Sequence, residues 1–150
     1  MLTSKFSDGI LNPSGVRFGS SEIYGIVDKF VDRIQDSICV GQRNAAMDEQ
    51  VMLFVQMRPG KVLDEDLEQQ IRTMVAQSLS VRHVPKYILA VPKIPYNVNG
   101  KKLEVLVKKV ISGDPLHAKY KSTLVSPDDL EVFKQFTRLR GDGAREKSRL

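Results

Sequence analysis

Apolar positions along the chain recur with two periods, and the alternation between them predicts the order of elements. Ile23, Ile26, Val27 and Phe30 fall at i, i+3, i+4 and i+7, one face of an α-helix, with Ser20 or Ser21 placed to cap its first turn. Residues 37–40 and 51–57 are apolar runs of strand length, and the polar loop GQRNAAMDEQ between them predicts an antiparallel pair. Pro59-Gly60 ends the second run. A helix then starts on Asp64, Glu65 and Asp66, which suit the positive end of its dipole, and presents Leu67, Ile71, Met74, Val75 and Leu79 on one face. Pro85 follows it, and residues 87–91 read as another strand. Leu103, Leu106, Val107, Val110 and Ile111 make a third helical face that stops at Gly113. Ser126-Pro127-Asp128-Asp129 is a further helix start, a hydroxyl cap followed by proline at the first helical position, and Leu130 and Phe133 would dock that short helix. At the front, SDGILNPSGVRFG predicts two short strands, residues 10–11 and 16–18, around a Pro-Ser-Gly turn.

The order ββ-α-β-β-α-β-α predicts an α+β fold: a small compact domain with a short N-terminal hairpin, a small mixed sheet and about three packed helices, then a short C-terminal helix and tail. No internal repeat interrupts it, and 150 residues suit one domain. With 41% hydrophobic residues the chain can bury a core, and its apolar runs are too short to span a bilayer. The opening MLTSKFSDG lacks the apolar segment of a signal peptide. Cys39 is the single cysteine and lies in the run Ile38-Cys39-Val40, so it reads as a buried small residue, and no internal disulfide can form. These features make a cytoplasmic protein with no membrane partner the expectation.

The formal net charge of +5 favours an anionic partner, but the tail RLRGDGAREKSRL concentrates four arginines and a lysine, which solvation explains as well. No aromatic residues interleave the basic ones and no zinc spacing is present, so a nucleic acid is not expected. His83 and His117, the two histidines, have no Cys or carboxylate at ligand spacing, and no metal site is expected. Cys39 has no basic neighbour that would make it a nucleophile.

Two segments remain as candidate chemistry. In the first, Asp8-Gly9 precedes Gly15-Val16-Arg17-Phe18-Gly19. Glycines let a backbone approach a narrow ligand, and the planar fork of Arg17 suits phosphate; the same glycines would also serve a simple hairpin turn. The second, IPYNVNGKKLEVLVKKV, sets Lys101 and Lys102 directly before a helix, at its positive end. A lysine there is a mobile point charge suited to phosphate or carboxylate oxygens, or simply a solvated surface charge.

Taken together, SDGILNPSGVRFGSSEIYGIV resembles the hinge and glycine-rich segment that opens the C-terminal domain of acyl-adenylate-forming enzymes, the AMP-dependent synthetase/ligase family. VPKIPYNVNGKKLEVLVKKVISGD resembles that family's lysine loop. The wording of LNPSGVRFGSSEIY and IPYNVNGKK is most similar to the branch that joins acetoacetate to CoA. The resemblance spans roughly residues 7–135. It implies two half-reactions: a carboxylate and MgATP give an acyl-adenylate and pyrophosphate, then the CoA thiol displaces AMP. It also implies a C-terminal domain that turns between the two steps.

By the same resemblance Lys101 is the catalytic lysine of adenylation and Asp8 the hinge. Gly15, with Val16, lines the CoA tunnel, and Arg17 serves phosphate groups. Glu22 belongs to the glycine-rich motif, though a cap or a surface charge explains it equally; His83 and Arg82 could lie near the CoA nucleotide. The expected domains are a divergent start at 1–6, the C-terminal ligase domain at 7–113, an extension with a short helix at 114–140 and a disordered tail at 141–150. Two departures stand out: Phe6 takes the place of the family's usual arginine before the hinge, and the large N-terminal adenylating domain has no counterpart in these residues. That large domain, ATP with Mg²⁺, CoA and acetoacetate are the partners implied, and the chain alone is expected to be inactive. The alternative is a non-catalytic binding module that docks on a full-length synthetase or binds CoA.

Overall fold

Alternate residues of one central strand feed two separate cores, and this sets the layering of the molecule. The structure is a computed structural model in which residues 10–11, 18–44, 48–116 and 127–140 are described. Ile10–Leu11 (β1) pairs antiparallel with Phe18–Gly19 (β2), directly before the helix Ser20–Val27 (α1). Ile34–Arg43 (β3) and Glu49–Met57 (β4) form a long antiparallel pair, and Tyr87–Ala90 (β5) lies parallel to β4 on its other side. The sheet order is therefore β3-β4-β5, a small mixed sheet with β4 in the middle. Parallel pairing of β4 and β5 needs a crossover, which the helix Glu65–Ser78 (α2) supplies.

Val51, Leu53 and Val55 of β4 join Cys39 of β3 and Ile88 of β5 in a core shared with Ile23, Ile26 and Val27 of α1 and Leu67, Ile71 and Val75 of α2. Met52 and Phe54 point the opposite way, with Ile38 and Val40, into a second core. That core is closed by Leu106, Val107, Val110 and Ile111 of the helix Glu104–Ile111 (α3) and by a segment of 3-10 character, Pro127–Leu139. A sheet covered on both faces needs apolar residues at every position, so its strands read as unbroken apolar runs. The α+β expectation holds, with the mixed sheet and four main helical pieces in place.

Several local expectations need correction. Strand β3 is longer than residues 37–40, because Gln42 and Arg43 continue the ladder opposite Gln50 and Glu49. Neither Ser20 nor Ser21 caps α1: Gly19 is the cap residue, and the Glu22 carboxylate reaches back to its N–H at 3.4 Å. Asp64 lies one position outside α2 as its cap, its carboxylate accepting the Leu67 N–H at 2.8 Å. The C-terminal segment winds more tightly than an α-helix. Its buried residues Leu130, Phe133, Phe136 and Leu139 are spaced by three, which a helix of three residues per turn aligns on one face.

Candidate functional site

The segment between β5 and α3 is a tight hairpin, and its own side chains build it. Tyr96 and Lys102 form an antiparallel bridge. Between them the Asn97 side-chain oxygen accepts the N–H groups of Asn99 at 2.8 Å and Lys101 at 3.0 Å. Backbone bonds from Gly100 to Asn97 (2.9 Å), from Asn97 to Lys101 (2.8 Å) and from Leu103 to Pro95 (3.1 Å) close the turn. Gly100 has φ +82°, and no atom lies within 4 Å of where a Cβ would sit, so conformation rather than space selects glycine here.

Lys101 and Lys102 leave this hairpin in different environments. Lys101 is exposed, and among the described residues no hydrogen bond or ion pair engages its ammonium. Lys102 is not the plain surface charge it could have been. Its side chain is only 23% exposed, its ammonium lies 3.5 Å from Asp36 Oδ1 and it stacks 3.7 Å from the centre of the Tyr24 ring. The charge before the helix is thus neutralised by Asp36, and α3 carries Glu104 in its first turn, where a carboxylate is favourable.

A polar network extends from Lys102 into the body of the fold. Tyr96 donates its hydroxyl hydrogen to Asp36 Oδ2. Tyr24 donates to Glu104 in a short bond and accepts the Cys39 N–H at 2.9 Å, and Ser20 donates to the same Glu104 oxygen at 2.9 Å. Burial, then the negative Glu104, push the Tyr24 hydroxyl far above the usual tyrosine range. Burial and the bond to Asp36 raise Tyr96 as well, so both phenols remain neutral donors. Cys39 is pushed up by burial and Glu104 and is not a thiolate, in keeping with its reading as a core residue.

Asp8, Gly15, Val16 and Arg17, with Phe6, lie outside the described residues, as do His117 and the 141–150 tail. Of the hinge and glycine-rich segment, the described parts are Ile10–Leu11 and the exit from Phe18 into α1, where Glu22 serves two contacts. It caps the helix, and its Oε1 lies 3.4 Å from His83 Nε2, whose Nδ1 is in turn 2.6 Å from Ser80 Oγ. The fold therefore joins Glu22 and His83, residues far apart in sequence. Arg82, next to His83, is exposed and lines a cleft of about 240 Å³ with Lys86, Asn44, Asp48 and Glu49. Sequence reasoning missed Asp36, Tyr24, Tyr96 and Glu104. Tyr96 alone carried a signal, since it flanks the lysine loop; Tyr24 and Glu104 are 80 residues apart and nothing in the pattern pairs them.

Comparison with known proteins places this hairpin in context. No protein-family model matches the chain. It is 46% identical over 134 residues to acetoacetyl-CoA synthetase of Rattus norvegicus, covering 89% of this chain and 20% of that protein. It is equally 46% identical over 132 residues to malonamoyl-CoA synthetase of Penicillium aethiopicum, covering 87% of this chain and 18% of that protein. The solved acetoacetyl-CoA synthetase from Streptomyces lividans superposes with a TM-score of 0.74 at 33% identity, over 88% of this chain and 19% of the other. The chain thus spans about a fifth of the length of the curated relatives it matches. The match falls on the C-terminal portion of those proteins, and the chain belongs to the AMP-forming ligase family as a homologue of the C-terminal portion of acetoacetyl-CoA synthetases.

Proposed function

We propose that the chain is the lysine- and CoA-facing part of an acid–CoA ligase that makes acetoacetyl-CoA from acetoacetate, ATP and CoA. In the first half-reaction a carboxylate oxygen attacks the α-phosphorus of ATP and pyrophosphate leaves. In the second, the CoA sulfur attacks the acyl carbon, AMP leaves and the thiol proton passes to solvent. The observation that carries the reading is Lys101, an exposed ammonium on a braced hairpin that meets no partner among the described residues. Presented to another domain, it would stabilise charge developing on the carboxylate and the α-phosphate as the adenylyl group is transferred. Asp8 as hinge, Gly15 and Val16 along the CoA path and Arg17 at phosphate complete the proposal. In this proposal the Mg²⁺ that accompanies ATP is held by the large N-terminal domain.

The test is thioester formation from acetoacetate, ATP, Mg²⁺ and CoA, with this chain alone and mixed with the separately produced large domain of a relative. Turnover is expected only in the mixture and should fall at least a hundredfold with Lys101→Ala. A folded chain that binds CoA or the large domain, yet never turns over, would support the binding-module reading instead.

A further inference from the structure

The ammonium of Lys101 has to arrive at one point in a neighbouring domain, so the hairpin that carries it must be held from below. Both legs of that hairpin end on a single carboxylate. Tyr96, on the incoming leg, donates to Asp36 Oδ2, and Lys102, on the outgoing leg, pairs with Asp36 Oδ1 at 3.5 Å. Tyr96 and Lys102 are also the residues that bridge the hairpin's neck. In an extended segment consecutive side chains point to opposite sides, so anchoring Lys102 inward turns Lys101 outward.

Asp36 is itself a placed residue. The ladder between β3 and β4 shifts register between Ile34 and Asp36, an irregularity of the kind that re-aims a side chain. The Ser37 N–H then holds Asp36 Oδ1 at 2.8 Å. From Lys102 the contact continues to the Tyr24 ring, and through Tyr24 and Glu104 to Ser20, the first residue of α1 after the glycine-rich segment.

We infer that Asp36 is the positioning residue for Lys101, and that Lys102 and Tyr96 are its two attachment points rather than catalytic groups. This inference rests on the proposed role of Lys101, and its test keeps the two apart. The first measurement uses the chain alone: amide hydrogen exchange of residues 97–102 and the rate of trypsin cleavage after Lys101. Asp36→Asn and Lys102→Met are expected to speed both at least tenfold while the exchange of β4 amides stays unchanged. Lys102→Arg, which keeps a cation able to pair with Asp36 and stack on Tyr24, should restore slow exchange. The second measurement uses the mixture with the large domain and reads ATP–pyrophosphate exchange. Asp36→Asn should lower kcat at least tenfold with little change in KM for ATP, and Lys102→Arg should retain most of the rate. Unchanged exchange and cleavage in Asp36→Asn would overturn the clamp. So would a loosened hairpin with full pyrophosphate exchange, provided Lys101→Ala abolishes it. If Lys101→Ala leaves the rate intact, the proposed role of Lys101 fails, and the positioning inference fails with it.

Discussion

Lys101 and Lys102 differ by one position, and backbone geometry converts that into opposite fates: one ammonium in water, the other against Asp36 and an aromatic face. A carboxylate so placed removes the penalty of a cation at a helix N-terminus, leaving the neighbouring lysine available to act elsewhere. Cys39 shows residue chemistry of the inert kind. Burial and Glu104 raise its pKa, so the folded chain keeps the thiol proton where the unfolded chain loses it above roughly pH 8.5. Above that pH the unfolded state binds fewer protons, so stability is full below it and falls as pH rises. Tyr24 adds to the same fall above roughly pH 10. Urea midpoints measured from pH 7 to 10 should therefore decline, and Cys39→Ala should flatten the portion between about pH 8.5 and 10. Parallel declines in the two proteins would mean the thiol is not responsible.

At the scale of elements, two buried glutamines tie the second layer to the sheet. Gln42 on β3 donates to the carbonyls of Ile111 (2.7 Å) and Phe136 (2.8 Å), the first at the end of α3 and the second in the 3-10 segment. Gln50 on β4 donates to Gln42 at 2.7 Å and to the Leu139 carbonyl at 3.0 Å. Terminal helix carbonyls lack intrahelical partners, and here the sheet supplies them. Gln42→Leu would orphan several buried groups, at about 1–3 kcal/mol for each polar group left without a partner. Chemical denaturation should register a loss of at least about 2 kcal/mol. A loss below about 0.5 kcal/mol would show that water or local rearrangement replaces the amide. Above this polar tie, Phe54 meets Phe133 edge-on with centroids 5.0 Å apart and Phe136 at 5.1 Å, so the C-terminal segment is part of the core.

Across the whole molecule, similarity is as high to a synthetase named for malonamoyl-CoA as to one named for acetoacetyl-CoA. On the proposed reading, this portion therefore carries the shared chemistry and leaves the choice of acid to the rest of the protein. Joined to the large domain of the Penicillium aethiopicum relative, the chain should support malonamoyl-CoA formation, and joined to that of the Rattus norvegicus relative, acetoacetyl-CoA formation. A preference for acetoacetate in both chimeras, read from kcat/KM with each acid, would place acid selection in this portion instead. Among the described residues no helix is long and apolar enough to cross a membrane.

The periodicity of apolar residues was sufficient for the three principal helices, the β3–β4 pair and the position of β5, because burial of one helix face or of both sheet faces writes itself into local spacing. The C-terminal helix was expected from its Ser-Pro-Asp-Asp start and from Leu130 and Phe133, but its tighter winding, which aligns Leu130, Phe133, Phe136 and Leu139, emerged only in the structure. The lysine loop was visible too, as Asn99-Gly100 and paired lysines directly before a helical face, but its closure into a hairpin around the Asn97 side chain was not. What only the tertiary structure decided is which carboxylate holds that hairpin, and that Glu22 meets His83 and Tyr24 meets Glu104. Those pairs join residues dozens of positions apart, and a polar contact of that kind depends on sheet register and helix docking, which leave no period in the chain.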